Sequence, residues 1–400
     1  MQCFAQRFVS RGLLLAILAS AVSTVSAAEI TLRSCADGAG PPAQIAEKLD
    51  KLLSDAVDPD SAYAAEGLLA PGGVLLVRTP DWTYFKAAGV ADLQNAEPLD
   101  CNSPYQIGSA TKMMTGTVVM QLQEAGLLSL DDPLSEHLPE IAARLPNGDR
   151  ITLREIANHT AGLFNYTDNA PDGTPGIMEG GLSDPEMLKS SRGPADLVEF
   201  AIVHGEPVFD PGTEGKWAYS NTGYVLLGMI IEKLEGKPLA DVFRERIFAP
   251  VGMDATFLWN DVPREDFGLP RAWFKAPFDI ETTDWNMSQG WAAGGVISTA
   301  PDMAMFVEAL AAGSLFEQAG TLAAMQEGVQ AQFPILTYGT GLCGKPGDTI
   351  GHAGQTLGFE SDTAFAPASK TTMVFWMNSA NNIAAFGVPL VAEIVANHGR

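Results

Sequence analysis

The chain holds little cysteine, histidine or basic charge for its length. Among 400 residues there are four cysteines, five histidines and 24 lysine or arginine residues, against 48 acidic residues and a formal net charge of −24. No pair of Cys or His residues has zinc-ligand spacing, so no metal and no other cofactor is expected. The strong negative charge argues against nucleic acid as a partner and favours a small-molecule or short-peptide substrate.

Long apolar runs are also absent. No segment reaches the roughly 20 apolar residues that a membrane-spanning helix needs. The apolar segment Leu13–Val22 follows Arg7 and Arg11 and precedes the small residues Ser26 and Ala27, which is the pattern of a signal peptide. The sequence therefore predicts a signal peptide at residues 1–27 and an exported protein, periplasmic or secreted, without a membrane anchor. A buried N-terminal helix is the alternative.

The most informative motif is Ser109-Ala110-Thr111-Lys112, which lies where the apolar segment 105–107 runs into a predicted helix. Residues i and i+3 share one helix face, so the Lys112 amine can reach the Ser109 hydroxyl and take its proton. Gly108 allows a tight entry, and the unpaired N–H groups of a first helical turn favour a developing oxyanion. A serine that merely caps an exposed helix is the alternative, because about one such spacing is expected by chance.

A second polar motif, Tyr219-Ser220-Asn221, precedes an apolar run that begins at Tyr224. A tyrosine near a lysine ammonium loses its proton more easily, so Tyr219 is a candidate proton shuttle between Ser109 and a leaving group. Asn221 offers its amide to a substrate carbonyl or to the lysine. The alternative is a packed tyrosine with Asn221 capping a helix over residues 222–234.

The third motif, His352-Ala353-Gly354, lies in a glycine-rich segment that is predicted as a strand over residues 350–359. Gly354 is expected to let a ligand approach the strand backbone closely. The next N–H group, that of Gln355, is a candidate oxyanion donor. A lone histidine is more often structural than catalytic, so a structural His352 stays the alternative.

In this order the three motifs resemble those of the penicillin-recognising serine hydrolases. That family includes class C β-lactamases, DD-carboxypeptidases, D-aminopeptidases and a group of esterases. The resemblance runs from about residue 62 to about residue 385 and is nearest to the soluble DD-peptidase and esterase branch. Segments between the motifs resemble the family as well: Leu130–Leu134, Thr152–Leu163 and Trp291–Thr299. A lipase with a Gly-x-Ser-x-Gly motif is a weaker candidate, since the chain holds no such motif.

The resemblance implies a role for each matching residue. Ser109 would be acylated, Lys112 would be its general base, and Tyr219 would relay protons to the leaving group. Asn221 would position the substrate amide or ester. The chemistry would be a two-step acyl transfer in which water is the second nucleophile.

The third motif would complete the site. His352 stands where β-lactamases of this kind have a lysine, so it is expected to support the Tyr219 hydroxyl and to bind polar groups of the substrate. Gly354 and Gln355 would face the substrate, with the N–H groups of Gln355 and Ser109 forming the oxyanion hole.

Departures from the family pattern indicate the branch. The motif is not Lys-Thr-Gly, which argues against an efficient β-lactamase. Cys343 stands where related DD-carboxypeptidases carry a carboxylate-binding arginine, and Lys345 is a poor substitute because a turn is expected between it and the strand. The sequence favours an esterase or amidase that needs no free carboxylate. A DD-carboxypeptidase, a true β-lactamase and a non-catalytic penicillin-binding or sensor protein remain alternatives.

Three cysteines remain after the predicted signal peptide: Cys35, Cys101 and Cys343. One disulfide can form, and Cys35 with Cys101 is the favoured pair because the N-terminal segment can lie near the strand that enters Ser109. Spacing alone does not establish this pairing. Cys343 is expected to be a buried small residue on a strand.

The predicted fold class is α/β plus α, β-lactamase/transpeptidase-like. An antiparallel sheet flanked by helices is built from residues 28–120 and 290–400, with a mostly helical domain inserted at residues 121–289. Predicted strands cover residues 72–79, 83–90, 337–342, 349–365 and 371–377, and a helix covers residues 383–397. The Gly/Pro-rich loop 169–181 is either a lid over the site or a mobile surface loop. The oligomeric state stays open.

Overall fold

An antiparallel sheet built from both ends of the chain organises the structure. The computed structural model describes residues 30–259, 267–331, 336–345, 348–380 and 383–396. The described strands are β1 Arg33–Ser34, β2 Gly72–Arg78, β3 Thr83–Asp92, β4 Glu97–Pro98, β5 Tyr105–Gln106, β6 Phe257–Leu258, β7 Val296–Ser298, β8 Val329–Gln330, β9 Thr337–Tyr338, β10 Cys343–Lys345, β11 Thr349–Gln355, β12 Glu360–Ala366 and β13 Thr371–Met377. Ten of them form the large sheet, in the order β1-β3-β2-β13-β12-β11-β10-β9-β8 with β4 paired to β3, and β5-β7-β6 form a small second sheet.

The helices cover both faces of the sheet. They are α1 Ala43–Asp55, α2 Ala62–Ala65, α3 Thr111–Glu124, α4 Leu134–His137, α5 Pro139–Ala142, α6 Leu153–Ala157, α7 Ile177–Ser183, α8 Pro185–Lys189, α9 Pro194–His204, α10 Asn221–Glu235, α11 Leu239–Phe243, α12 Ala249–Val251, α13 Trp291–Gly294, α14 Ala300–Ala311, α15 Thr321–Gln326 and α16 Ile383–Ala396. Short 3-10 helices span Gly108–Ala110 and Met287–Gln289, and a π-helical turn spans Arg244–Phe248.

The central strands are apolar without alternation because both of their faces are buried. β13 is buried at every position, and its Val374 lies opposite Leu76 of β2. Successive side chains of a strand point to opposite faces. Leu76 therefore packs into the core shared with α3 and α10, whereas Leu75 and Phe375 pack against α1 and α16.

The cysteines lie as the sequence predicts. Cys35 and Cys101 form a disulfide, and Cys343 is a buried thiol on β10. The disulfide ties the segment after β1 to the turn that leads into β5, the strand that precedes the helical turn of Ser109.

Two strand predictions were too long. The segment 337–342 holds a strand only at Thr337–Tyr338, after which the N–H of Gly339 donates to Leu342 O at 2.9 Å and the chain turns. The segment 349–365 is two strands, because residues 356–359 form a hairpin turn in which Thr356 N and Phe359 O bond at 2.9 Å. The central helix begins at Asn221 and ends at Glu235, close to its predicted bounds.

The segment 169–181 includes the start of a helix. Its C-terminal part begins α7, which is followed at once by α8. Leu188 of α8 packs with Trp285, Met287 and Leu357, the last of which lies two residues beyond Gln355. Helix α8 thus packs beside the end of β11, and the choice between a lid and a mobile surface loop stays a prediction.

Several sequence predictions concern the organisation of the whole chain. The predicted signal peptide lies outside the described residues. Within the part of the chain that the structure describes, no helix combines the length and apolar character needed to cross a membrane. The limits 28–120, 121–289 and 290–400 stay a prediction, and the pairing of β6 with β7 crosses one of them.

Candidate active site

Ser109 lies at the junction of β5 and α3, in the short helical turn Gly108–Ala110. Gly108 has φ +55°, and a Cβ there would lie 2.7 Å from Gln355 N, so this tight entry requires glycine. The predicted geometry is therefore present: the serine sits at the start of a helix and its side chain is 4% exposed. The close approach also places the Gln355 N–H group beside the turn that carries Ser109.

Lys112 is fully buried at the second position of α3. Its ammonium donates to Ser109 Oγ at 3.2 Å, to Asn221 Oδ1 at 2.6 Å and to Ala293 O at 2.6 Å. These three acceptors match the three protons of an ammonium. The i, i+3 spacing that the sequence indicated thus brings the amine to the hydroxyl.

The Tyr219-Ser220-Asn221 motif approaches from the start of α10. The Tyr219 ring centroid lies 4.8 Å from Lys112 Nζ. Asn221 is held by two neighbours, because its N–H donates to Asn165 Oδ1 at 3.0 Å and its Nδ2 donates to Thr167 Oγ1 at 3.2 Å. Its Oδ1 faces the lysine, which is one of the two orientations expected for Asn221 from the sequence.

A glycine is needed at position 354 of β11 for a different reason from the one expected. A Cβ at this position would lie 1.8 Å from Ile107 O, which also accepts from Ser361 Oγ at 3.1 Å. The glycine therefore lets β11 pack against the backbone just before Ser109, and the space is filled by the chain itself and not by a ligand. The same packing fixes Gln355 relative to Ser109.

His352 does not support Tyr219 as expected. Its side chain is buried, with 1% exposed, and Nε2 lies 2.9 Å from the Tyr338 hydroxyl, while Nδ1 lies against Ala353 O. Burial and the nearby Lys112 charge lower the pKa of His352 to about 3. A neutral, buried ring is not placed to bind polar groups of a substrate directly, so its contribution to the site passes through Tyr338.

Sequence reasoning missed Tyr338 and underrated His159. The His159 ring contacts two tyrosine rings, with centroids 4.4 Å from Tyr219 and 4.5 Å from Tyr338. His159 was expected to hold a loop, and it does, because Ser220 N–H donates to its Nδ1 at 3.2 Å. The only sign of this location in the sequence is that His159 lies in the segment 152–163, which resembles the family. Nothing in the sequence pointed to Tyr338.

Lys345 is not separated from the sheet by a turn, since it is the last residue of β10. Its amine pairs with the carboxylate of Asp362, which lies on β12 across the intervening strand. Both side chains are buried, with 10% and 3% exposed. The amine is therefore committed to a structural ion pair and does not replace the arginine that Cys343 lacks.

Among the residues that the structure describes, no three His, Cys, Asp or Glu side chains are grouped so that they could hold a metal ion. The groups brought together are a hydroxyl, an amine, a phenol and an amide, all beside the end of β11.

This geometry can be compared with known proteins. A sequence model of the beta-lactamase family matches residues 61–396. The chain belongs to the beta-lactamase family. Family membership confirms the resemblance and the fold class predicted from the motifs, and it supports the predicted type of enzyme, a serine hydrolase.

Individual relatives span several branches of the beta-lactamase family. The chain is 26% identical over 313 residues to the putative penicillin-binding protein PbpX of Bacillus subtilis, covering 78% of this chain and 71% of that protein. It is 28% identical over 238 residues to esterase EstB of Burkholderia gladioli, covering 57% of this chain and 55% of the esterase. The alignment thus spans about half of the esterase's own length.

A solved structure covers more of the chain. The D-amino acid amidase of Ochrobactrum anthropi SV3, in complex with L-phenylalanine amide, superposes with a TM-score of 0.74 at 28% identity. The match covers 89% of this chain and 99% of the amidase.

Proposed function

We propose that the protein is an exported serine hydrolase that cleaves ester or amide bonds through an acyl-enzyme on Ser109. The observation that carries this proposal is the position of the Lys112 amine between Ser109 Oγ, Asn221 Oδ1 and Ala293 O. The named relatives, an esterase and an amidase, support both types of bond.

The acceptors around Lys112 define how it acts as a base. Asn221 Oδ1 and Ala293 O take two N–H groups, at 2.6 Å each. In the neutral amine the remaining tetrahedral direction is a lone pair, and it points to the Ser109 hydroxyl. When Ser109 Oγ bonds to the substrate carbonyl carbon, its proton passes to Nζ, and the resulting ammonium keeps all three partners.

The carbonyl oxygen then carries negative charge. We assign its stabilisation to the N–H groups of Ser109 and Gln355, which the packing at Gly108 and Gly354 brings together. Collapse of the tetrahedral intermediate breaks the bond to the leaving group, which takes a proton through Tyr219. Water attacks the acyl-enzyme in the second step, the acid is released, and Ser109 regains its proton.

The substrate class follows from the missing cations. The positions at which the family binds a carboxylate hold a buried neutral His352 and a thiol at Cys343, and the possible substitute, Lys345, is paired with Asp362. We therefore propose small or short-peptide substrates that present no free carboxylate to this site. This argues against efficient hydrolysis of β-lactams and of peptides that end in a free D-amino acid.

Export is part of the proposal. The signal-peptide pattern of residues 1–27 supports it, and so does the Cys35–Cys101 disulfide, because disulfides persist in oxidising compartments.

The test is intact-protein mass spectrometry of the mature wild type and Ser109→Ala. Each protein is incubated with a fluorophosphonate, p-nitrophenyl acetate or a penicillin, while hydrolysis is followed in parallel. A Ser109-dependent adduct with ester turnover and slow, trapped penicillin supports the proposal. Fast penicillin turnover makes the protein a β-lactamase, and absence of labelling in the wild type indicates a non-catalytic relative.

A further inference from the structure

His159 makes contacts that its distance from the three motifs in sequence does not suggest. It follows α6 with φ +66°, a left-handed conformation that non-glycine residues seldom adopt, although Asn, Asp and His do so most readily. Its side chain is 2% exposed. A strained backbone at a buried histidine needs compensation from its surroundings.

The compensation is a clamp on Tyr219. The N–H of Ala218 donates to His159 O at 3.0 Å, and the N–H of Ser220 donates to His159 Nδ1 at 3.2 Å. One residue thus binds the backbone on both sides of the tyrosine. The left-handed turn is what allows the carbonyl and the ring of the same residue to reach two neighbouring amides.

The ring of His159 also fixes the aromatic side chain. It contacts both the Tyr219 ring and the Tyr338 ring, with an edge contact to Trp217 at 5.7 Å. Tyr338 is held in turn by His352. The chain of contacts His352, Tyr338, His159 and Tyr219 links the third motif to the second.

The charge state of the ring suits this position. Burial and the positive charge of Lys112 hold the pKa of His159 well below its usual value. Since Nδ1 accepts from Ser220 N–H, the proton of the neutral ring is on Nε2. The titratable groups around it are Lys112, Tyr219, Tyr224, Tyr338 and His352.

We propose that His159 is a positioning residue that holds the Tyr219 hydroxyl in place for proton transfer to the leaving group. This inference rests on the proposed acyl-enzyme function. A displacement of about 1 Å in such a group is enough to cost on the order of 100-fold in rate. The loss of rate should depend on the leaving group, because a leaving group that departs without being protonated depends least on Tyr219.

The test compares leaving groups in His159→Ala. With phenyl acetate, whose leaving group needs a proton, we expect kcat/KM, which reports formation of the acyl-enzyme, to fall on the order of 100-fold, and with p-nitrophenyl acetate by less than about 10-fold. His159→Asn should recover about 10-fold of the loss with phenyl acetate, since Asn tolerates the left-handed backbone and its Oδ1 can accept from Ser220 N–H. An equal loss with both esters would overturn the proposal.

A double-mutant cycle separates positioning from general damage to the fold. If His159 acts through Tyr219, His159→Ala should cost less than about twofold in a Tyr219→Phe background. The matched control is His137→Ala, a buried histidine bonded to Asp132 at 2.9 Å outside the site. It should lower Tm without changing the ratio of the two rates. A full loss in the Tyr219→Phe background, or the same ratio change in His137→Ala, contradicts the inference.

The stoichiometry of Ser109 labelling by a fluorophosphonate is measured for each protein of the cycle, because it reports the fraction of competent enzyme without any substrate. If the wild-type protein labels at Ser109 and the effects of the two substitutions are additive, the role of His159 is refuted and the proposed function is not. Wild-type protein that does not label at Ser109 would refute the proposed function, and the inference with it.

Discussion

Lowering the pH from 7 to 5 should destabilise the protein through its buried histidines. His352 is 1% exposed and its pKa falls from the usual 6.5 to about 3, because burial and Lys112 disfavour the charged ring. The folded protein keeps this ring neutral, whereas the unfolded chain takes up a proton. The stabilisation is therefore complete above pH 6.5 and is lost as the pH falls from 6.5 towards 3.

The magnitude follows from proton linkage. One pKa unit corresponds to about 1.4 kcal/mol, so His352 alone should lower the free energy of unfolding by about 2 kcal/mol between pH 7 and pH 5. His159 is buried and neutral for the same reasons, and its lowered pKa acts in the same direction. Two kcal/mol is a large part of the stability of an ordinary domain.

The assay is urea unfolding at pH 7, 6 and 5 on the wild type and on His352→Gln, whose amide can still bond to Tyr338. The variant should lose about 2 kcal/mol less than the wild type over this range, with an unchanged m value. Identical pH dependence in the two proteins would show that folding does not lower the pKa of His352 and would refute the reasoning.

Three further predictions concern the site and its support. Lys112→Met should reduce fluorophosphonate labelling of Ser109 on the order of 10³-fold or more, since no other amine is placed at the hydroxyl among the described contacts; rapid labelling would exclude Lys112 as the base. Gly354→Ala should lower Tm and impair labelling, because its Cβ would lie 1.8 Å from Ile107 O; unchanged labelling would show that the backbone packing is dispensable. Lys345→Met should lower the free energy of unfolding in urea by about 3–5 kcal/mol, because it leaves Asp362 unpaired. The double variant Lys345→Met with Asp362→Leu should restore most of this loss. A rise in KM without loss of stability would instead make Lys345 a substrate-binding residue.

The features that the sequence predicted well depend on neighbours in the chain. Ser109 and Lys112 meet because i and i+3 lie on one helix face, and Gly108 was recognisable as a tight entry. The central strands β2 and β13 were recognisable because buried strands are continuous apolar runs. The family resemblance supplied the remaining organisation, since it joins three motifs that are far apart.

The features that were missed depend on side-chain contacts between strands that are separated by one strand in the sheet. The bond between His352 and Tyr338 exists because β9, β10 and β11 pair in one register, which no local pattern specifies. The ion pair of Lys345 and Asp362 has the same origin.

The hairpin at residues 356–359 was hidden for a different reason. It contains Leu357 and Phe359, which are buried and so continue the apolar pattern of a strand through the turn. Leu357 is covered by Trp285, Met287 and helix α8, none of which could be placed there from the sequence.

The pairing of β2 with β13 also has a consequence for the order of synthesis. Val74 lies opposite Trp376, so the middle of the sheet joins segments about 300 residues apart. Until the last strand has been made, β2 has an unpaired apolar edge, and such edges promote aggregation. Ser109, Tyr219 and Gln355 likewise come from the early, middle and late thirds of the chain. A chain whose synthesis stops before β11 therefore lacks both the middle of the sheet and one of the groups of the candidate site.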